Sequence, residues 1–137
     1  MNPILLDTNA YAAFKQGDAE AEAILRQTSG IALNSIVLGE LLAGFAFGSR
    51  EEKNRKELVQ FLDSRRVVVL SIDRRTSDLY ATIYLALKKA ATPIPTNDMW
   101  IAATALQHRL PLYTFDRHFR SVPGLQIGAS RSELEQR

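Results

Sequence analysis

The sequence predicts an α/β fold, a mainly parallel sheet of four to five strands with helices packed against it. Three observations carry that expectation. Short apolar runs alternate with segments of helical period. The runs are rich in branched and aromatic residues and nearly continuous in hydrophobicity, as strands buried on both faces should be. The chain has 137 residues, 46% hydrophobic and 23% charged, which suits one domain with its own core and excludes wholesale disorder.

The first run is Ile4-Leu5-Leu6, closed by Asp7. The second is Ile31-Ala32-Leu33, followed by the apolar stretch from Ile36 to Gly44, which reads as a helix. Leu58, Phe61 and Leu62 fall on one face of a helix over about residues 51–64. Val67-Val68-Val69-Leu70 is the third strand. Leu79, Ile83 and Leu87, with Tyr80 and Tyr84 beside them, mark a helix over about residues 76–90. Pro93 and Pro95 end it, and Thr96 or Asn97 is positioned to cap the next helix. Leu112-Tyr113-Thr114-Phe115 is the fourth strand, and Leu125-Gln126-Ile127 a short fifth one at an edge. The expected division is a folded unit over residues 1–128 and a loose polar tail over 129–137.

Composition excludes several classes. There is no cysteine, so disulfides, thiolate zinc sites and a thiol nucleophile are absent together. Asp7 interrupts the N-terminal apolar run and the first basic residue is Lys15, unlike a signal peptide. The most apolar stretch, residues 31–47, carries Glu40 at mid-span, which costs about 2.5–3.5 kcal/mol on insertion scales. The expectation is a soluble cytoplasmic protein. The two histidines, His108 and His118, lack the Gly-x-Ser-x-Gly turn of a serine hydrolase, and no phosphate-cradling Gly-Lys-Ser/Thr loop is present. His118 reads as a surface residue within reach of a substrate, and Trp100, Tyr80 and Tyr84 as core or dimer contacts.

Four carboxylates occupy unusual positions. Asp7 and Asp116 each end an apolar strand, and in an open parallel sheet ligands bind at the carboxyl ends of the strands. Either acid could equally cap a following helix. Glu40 has Ile36, Val37, Ala43 and Gly44 as its helical neighbours, a costly place for an acid without a partner. Asp98 has Ile101 and Ala102, so it points from a first helical turn toward the body of the domain. Gathered together, such acids would raise one another's pKa values unless a cation neutralised them, and an all-oxygen set suits magnesium or manganese.

Leu6-Asp7-Thr8-Asn9, Leu38-Gly39-Glu40-Leu41-Leu42-Ala43-Gly44, Asn97-Asp98 followed by Ile101-Ala102-Ala103, and Leu112-Tyr113-Thr114-Phe115-Asp116-Arg117-His118-Phe119 occur in that order over nearly the whole chain. With these motifs the chain resembles the PIN-domain ribonucleases, most closely the VapC-type toxins of toxin–antitoxin pairs. The resemblance implies a three-layer α/β/α sandwich. It also implies an acidic quartet at Asp7, Glu40, Asp98 and Asp116 binding Mg2+ or Mn2+, supported by Asn9 and Thr114. Val37 departs from the pattern, since many relatives carry Ser or Thr there. The activity implied is endonucleolytic cleavage of RNA leaving a 3′ hydroxyl and a 5′ phosphate. The partners implied are a second copy of the chain and a cognate VapB-type antitoxin that occludes the acids with basic residues. A phosphohydrolase of small phosphates and a phospho-receiver module are the competing readings, and neither accounts for Glu40 and Asp98 as well.

The charge balance sharpens this picture. There are 17 Lys and Arg against 15 Asp and Glu, a net charge of +2. If four acids surround a metal, 11 remain for the rest of the molecule, a surplus of six basic residues outside the site. Arg65-Arg66, Arg74-Arg75, Lys88-Lys89 and the cluster from Arg50 to Lys56 carry that surplus; most of them read as solvated helix faces, with phosphate contact the lesser alternative for any one.

Overall fold

The computed structural model describes residues 1–136. Strands β1 (Ile4–Leu6), β2 (Ile31–Asn34), β3 (Val67–Leu70), β4 (Leu112–Tyr113) and β5 (Ile127–Gly128) form one sheet in the order β3-β2-β1-β4-β5, every pair parallel. Ile4 pairs with Ile31, and Leu5 with Leu112. Ile4, Leu5 and Leu6 are all buried although successive side chains point to opposite faces, so helices cover both faces of the sheet. That makes the three-layer sandwich. The core runs through Leu5, Leu33, Val37, Ile101, Tyr113 and Phe119.

Helices α1 (Thr8–Lys15) and α2 (Ala19–Gln27) follow β1; the sequence allows a helix capped by Asp7 but gives no expectation of α2. Their signals are local: Asp18 caps α2 by accepting from the Ala21 N–H at 2.9 Å, and Ala21, Ile24 and Leu25 form its buried stripe. Helix α3 (Ser35–Phe47) leaves β2 directly. Buried Asn34 makes that junction, its Oδ1 accepting from the Val37 N–H at 2.9 Å. Its Nδ2 donates to Thr104 Oγ1 at 3.0 Å, which ties the junction to a later helix.

Helix α4 (Glu51–Leu62) presents Leu58 to the core and pairs Lys53, Arg55 and Lys56 with acids four residues away. Most of the Arg50 to Lys56 charge cluster is therefore a solvated, self-paired face that adds little to stability. Helix α5 (Arg74–Ala90) opens with a capping box between Asp73 and Thr76 and closes at Ala91 with φ 55°. Gln107 Nε2 donates to Asp73 Oδ1 at 2.9 Å, fastening α5 to α6 (Thr96–His108).

Three expectations are corrected. Val68 and Val69 are 52% and 44% exposed because β3 is an edge strand, not one covered on both sides. Neither Thr96 nor Asn97 caps α6: Pro95 holds the cap position without a side-chain bond, and its carbonyl accepts from the Asp98 and Met99 N–H groups at 3.0 and 3.2 Å. Residues 131–134 are not a loose tail. They form α7 (Arg131–Leu134), capped by Ser130, with Leu134 buried. Gly128 permits that packing, since a Cβ there would stand 2.8 Å from the Glu133 Cβ.

Among the described residues, no helix is long and apolar enough to cross a membrane. Asn34→Ala removes a helix cap and leaves the Thr104 hydroxyl without its donor. We expect a loss of about 2 kcal/mol of stability, measurable by urea denaturation with native far-ultraviolet dichroism retained.

Candidate active site

Strand order reverses beside β1: the chain goes from β1 to β2 on one side, and β4 lies on the other. A crevice at the carboxyl ends of β1 and β4 follows from that topology. Asp7 stands at the end of β1 and Thr114 at the end of β4. The Asp7 N–H donates to the Tyr113 carbonyl at 3.0 Å, so the two strand ends are locked together.

Asp7 is 3% exposed. Its Oδ1 accepts from the Thr8 N–H at 2.8 Å as the cap of α1, and its Oδ2 from the Thr114 hydroxyl at 2.7 Å. Capping and an active-site position, alternatives in the sequence, are here the same arrangement. Thr114 Oγ1 also accepts from the Asp116 N–H at 3.0 Å and from Asn9 Nδ2 at 3.4 Å. Asn9 Oδ1 accepts from the Phe115 N–H at 3.1 Å. One threonine hydroxyl thus connects Asp7, Asn9 and the loop carrying Asp116.

Glu40 lies half-buried on α3. The Thr8 hydroxyl donates to its Oε1 at 2.7 Å, and Asn97 Nδ2 to its Oε2 at 3.4 Å. The hydroxyl that meets this glutamate comes from α1; Val37, one turn earlier on α3, is fully buried in the core. Asp98, in the first turn of α6, keeps 13% side-chain exposure and meets His118 Nε2 at 2.6 Å. Asp116 is exposed, at the start of the 3₁₀ helix Arg117–Ser121. One ligating atom each of Asp98, Asp116 and His118 lies within 4.8 Å of the other two.

Burial pushes the Asp7 carboxyl up to about 6; the Thr114 and Thr8 hydrogen bonds oppose this, and the Asp98 and Glu40 charges add to it. Burial also raises Asp98, against the pull of His118, with the charges of Glu40 and Asp116 again on the raising side. The four acids therefore share one electrostatic field. Among the described residues, no Lys or Arg pairs with any of them. Buried, mutually repelling carboxylates with free oxygen lone pairs fit a hard divalent cation, and this cluster could hold one.

Thr8, Asn97 and His118 are the contacts that sequence reasoning missed. Thr8 follows Asp7 and Asn97 precedes Asp98, so adjacency to an acid was the available signal for both. His118 lies two residues beyond Asp116, and only the 3₁₀ turn brings its ring back to Asp98.

The family model of the PIN domain matches residues 4–125. Ribonuclease VapC4 of Mycobacterium tuberculosis is 27% identical over 123 residues, spanning 90% of this chain and 93% of that protein. Ribonuclease VapC1 of Haemophilus influenzae is 30% identical over 127 residues, spanning 89% and 93%. The crystal structure of VapBC2 from Rickettsia felis, bound to a DNA fragment from its promoter, superposes with a TM-score of 0.80 at 26% identity, covering 93% of this chain and 98% of that one.

The Asp7 shift has a stability consequence. Between about pH 4 and pH 6 the native state holds a proton that the unfolded chain, near 3.8, releases. Stability therefore falls as pH rises through that window, and the penalty is complete above it, of the order of 3 kcal/mol. In metal-free buffer, Asp7→Asn should melt above the unmutated chain at pH 7 and coincide with it near pH 4. Thermal unfolding at the two pH values checks this, and a destabilised variant at pH 7 contradicts it.

Proposed function

The chain belongs to the PIN-domain family, and on that premise we propose that it is a metal-dependent endoribonuclease, the toxin of a VapBC-type toxin–antitoxin pair. One observation carries the reading: Asp7, Glu40, Asp98 and Asp116 share one field at the switch point of the sheet and, among the described residues, no Lys or Arg pairs with them. The ribonuclease names of relatives aligned over nine-tenths of the chain support the substrate class.

In this reading Asp7, Glu40 and Asp98 hold the cation, and Asp116 completes the site as a ligand or as the group that orients attacking water. A bound Mg2+ or Mn2+ supplies Lewis acidity, lowering the pKa of water and offsetting charge on the phosphate oxygens. The protein's own part is positional. Thr114 and Asn9 fix the Asp7 carboxylate, and Thr8 and Asn97 fix that of Glu40. Burial of Asp7 keeps bulk water from competing for its oxygens. The attacking water enters from the exposed Asp116 side, and cleavage leaves a 3′ hydroxyl and a 5′ phosphate.

The surplus basic charge outside the acids meets the RNA backbone. Arg66 is withdrawn from that role, since its guanidinium donates to the Leu25 and Thr28 carbonyls at 2.8 and 2.7 Å. The structural relatives include toxin–antitoxin complexes, which supports a cognate antitoxin that covers the acids with basic residues. The protein acts as a cytoplasmic homodimer.

The purified protein should cleave RNA with Mg2+ or Mn2+ and stop when the ions are chelated. Asp98→Asn should lower cleavage by at least about 100-fold while the melting temperature shifts little. Cleavage that survives chelation, or full activity in both Asp7→Asn and Asp98→Asn, would overturn the assignment.

A further inference from the structure

The candidate centre has two chemically different sides. Around Asp7 and Glu40 every available donor is oxygen, and the neighbouring polar groups are hydroxyls, an amide and a backbone N–H. Around Asp98 and Asp116 a nitrogen donor intrudes, because a ring nitrogen of His118 and one carboxylate oxygen from each acid lie within 4.8 Å of one another. The imidazole is held there by its surroundings. Phe119, the next residue, is fully buried and packs its ring 4.9 Å from that of His118, while the Asp116 N–H is anchored on Thr114.

A surface ion pair explains these facts poorly. A pair needs only Asp98. It leaves the nearby Asp116 oxygen unaccounted for. Two carboxylate oxygens and one imidazole nitrogen within mutual reach are what a divalent transition ion takes.

We propose that His118 is a metal ligand, the nitrogen donor of a subsite shared with Asp98 and Asp116, and that it tilts the centre toward Mn2+ over Mg2+. Imidazole suits transition ions, whereas Mg2+ keeps to oxygen donors and water. Removing His118 therefore weakens Mn2+ and spares Mg2+. The proposal rests on the centre being a divalent-cation site, and it adds the donor that distinguishes one cation from another.

The test uses the purified, metal-free full chain, titrated calorimetrically with Mn2+ alone and with Mg2+ alone, and pulsed electron paramagnetic resonance of the Mn2+-loaded protein. The expected spectrum carries an imidazole 14N coupling, lost in His118→Ala and in His118→Gln and kept in His108→Ala, the only other histidine. His118→Gln retains an amide able to bond Asp98, so it separates ligation from positioning. Both His118 variants should bind Mn2+ at least about tenfold more weakly while Mg2+ affinity is unchanged. Absence of the coupling from Mn2+-loaded unmutated protein overturns the proposal alone. So does an equal loss for both cations, which marks His118 as a positioning residue, or no loss for either, which marks a surface pair. Failure of the unmutated chain to bind either ion overturns this proposal together with the metal-dependent reading.

Discussion

Burial and mutual repulsion of a carboxylate cluster that, among the described residues, no Lys or Arg pairs with is the constraint around which this molecule is arranged. Asp7 is driven into the protein far enough to bring its carboxyl near 6, with Asp98 and Glu40 adding to the strain. A fold tolerates such a cluster only when other interactions exceed its cost. Here the cost falls at the carboxyl ends of β1 and β4, next to a β1 strand buried completely on both faces. The apolar burial of the central strands stabilises the fold, and the strand ends carry the charge.

Small polar side chains convert that location into geometry. Thr114 donates to Asp7 and accepts from Asn9 and from the Asp116 backbone, so one hydroxyl fixes three elements distant in sequence. Thr8 and Asn97 do the same for Glu40, and Asn34 joins the β2–α3 corner to α6 through Thr104. Each contact is worth about 1 kcal/mol or less in net stability. Their common effect is to orient carboxylates whose charge would otherwise drive them apart.

The elements whose evidence is local were legible in the sequence. Ile4-Leu5-Leu6 and Ile31-Ala32-Leu33 read as doubly covered strands, and they are. Val67-Val68-Val69-Leu70 reads identically and is an edge strand, because strand order is a property of tertiary pairing that composition does not carry. Helix α2 went unread, although Asp18 and the Ala21–Ile24–Leu25 spacing were available. Residues 131–134 looked like tail because their only apolar member is Leu134, and a helix this short is detectable only through what it packs on. In the site, Glu40 and Asp98 stood out as acids on apolar helix faces. Thr8, Asn97 and His118 did not, since an unremarkable polar residue acquires its role only when the fold brings an acid beside it.

The mild overall charge conceals a division of labour. An acidic centre at one end of the sheet coexists with basic residues elsewhere, some of them already committed within the fold, as Arg66 and the α4 pairs are. Anomalous scattering at the manganese edge, from crystals of the metal-free protein soaked in Mn2+, tests most directly whether the acids are gathered for a cation. The account predicts a strong peak among the carboxylates of Asp7, Glu40 and Asp98. Peaks confined to solvated acids such as those of α4, with none at the ends of β1 and β4, would contradict it.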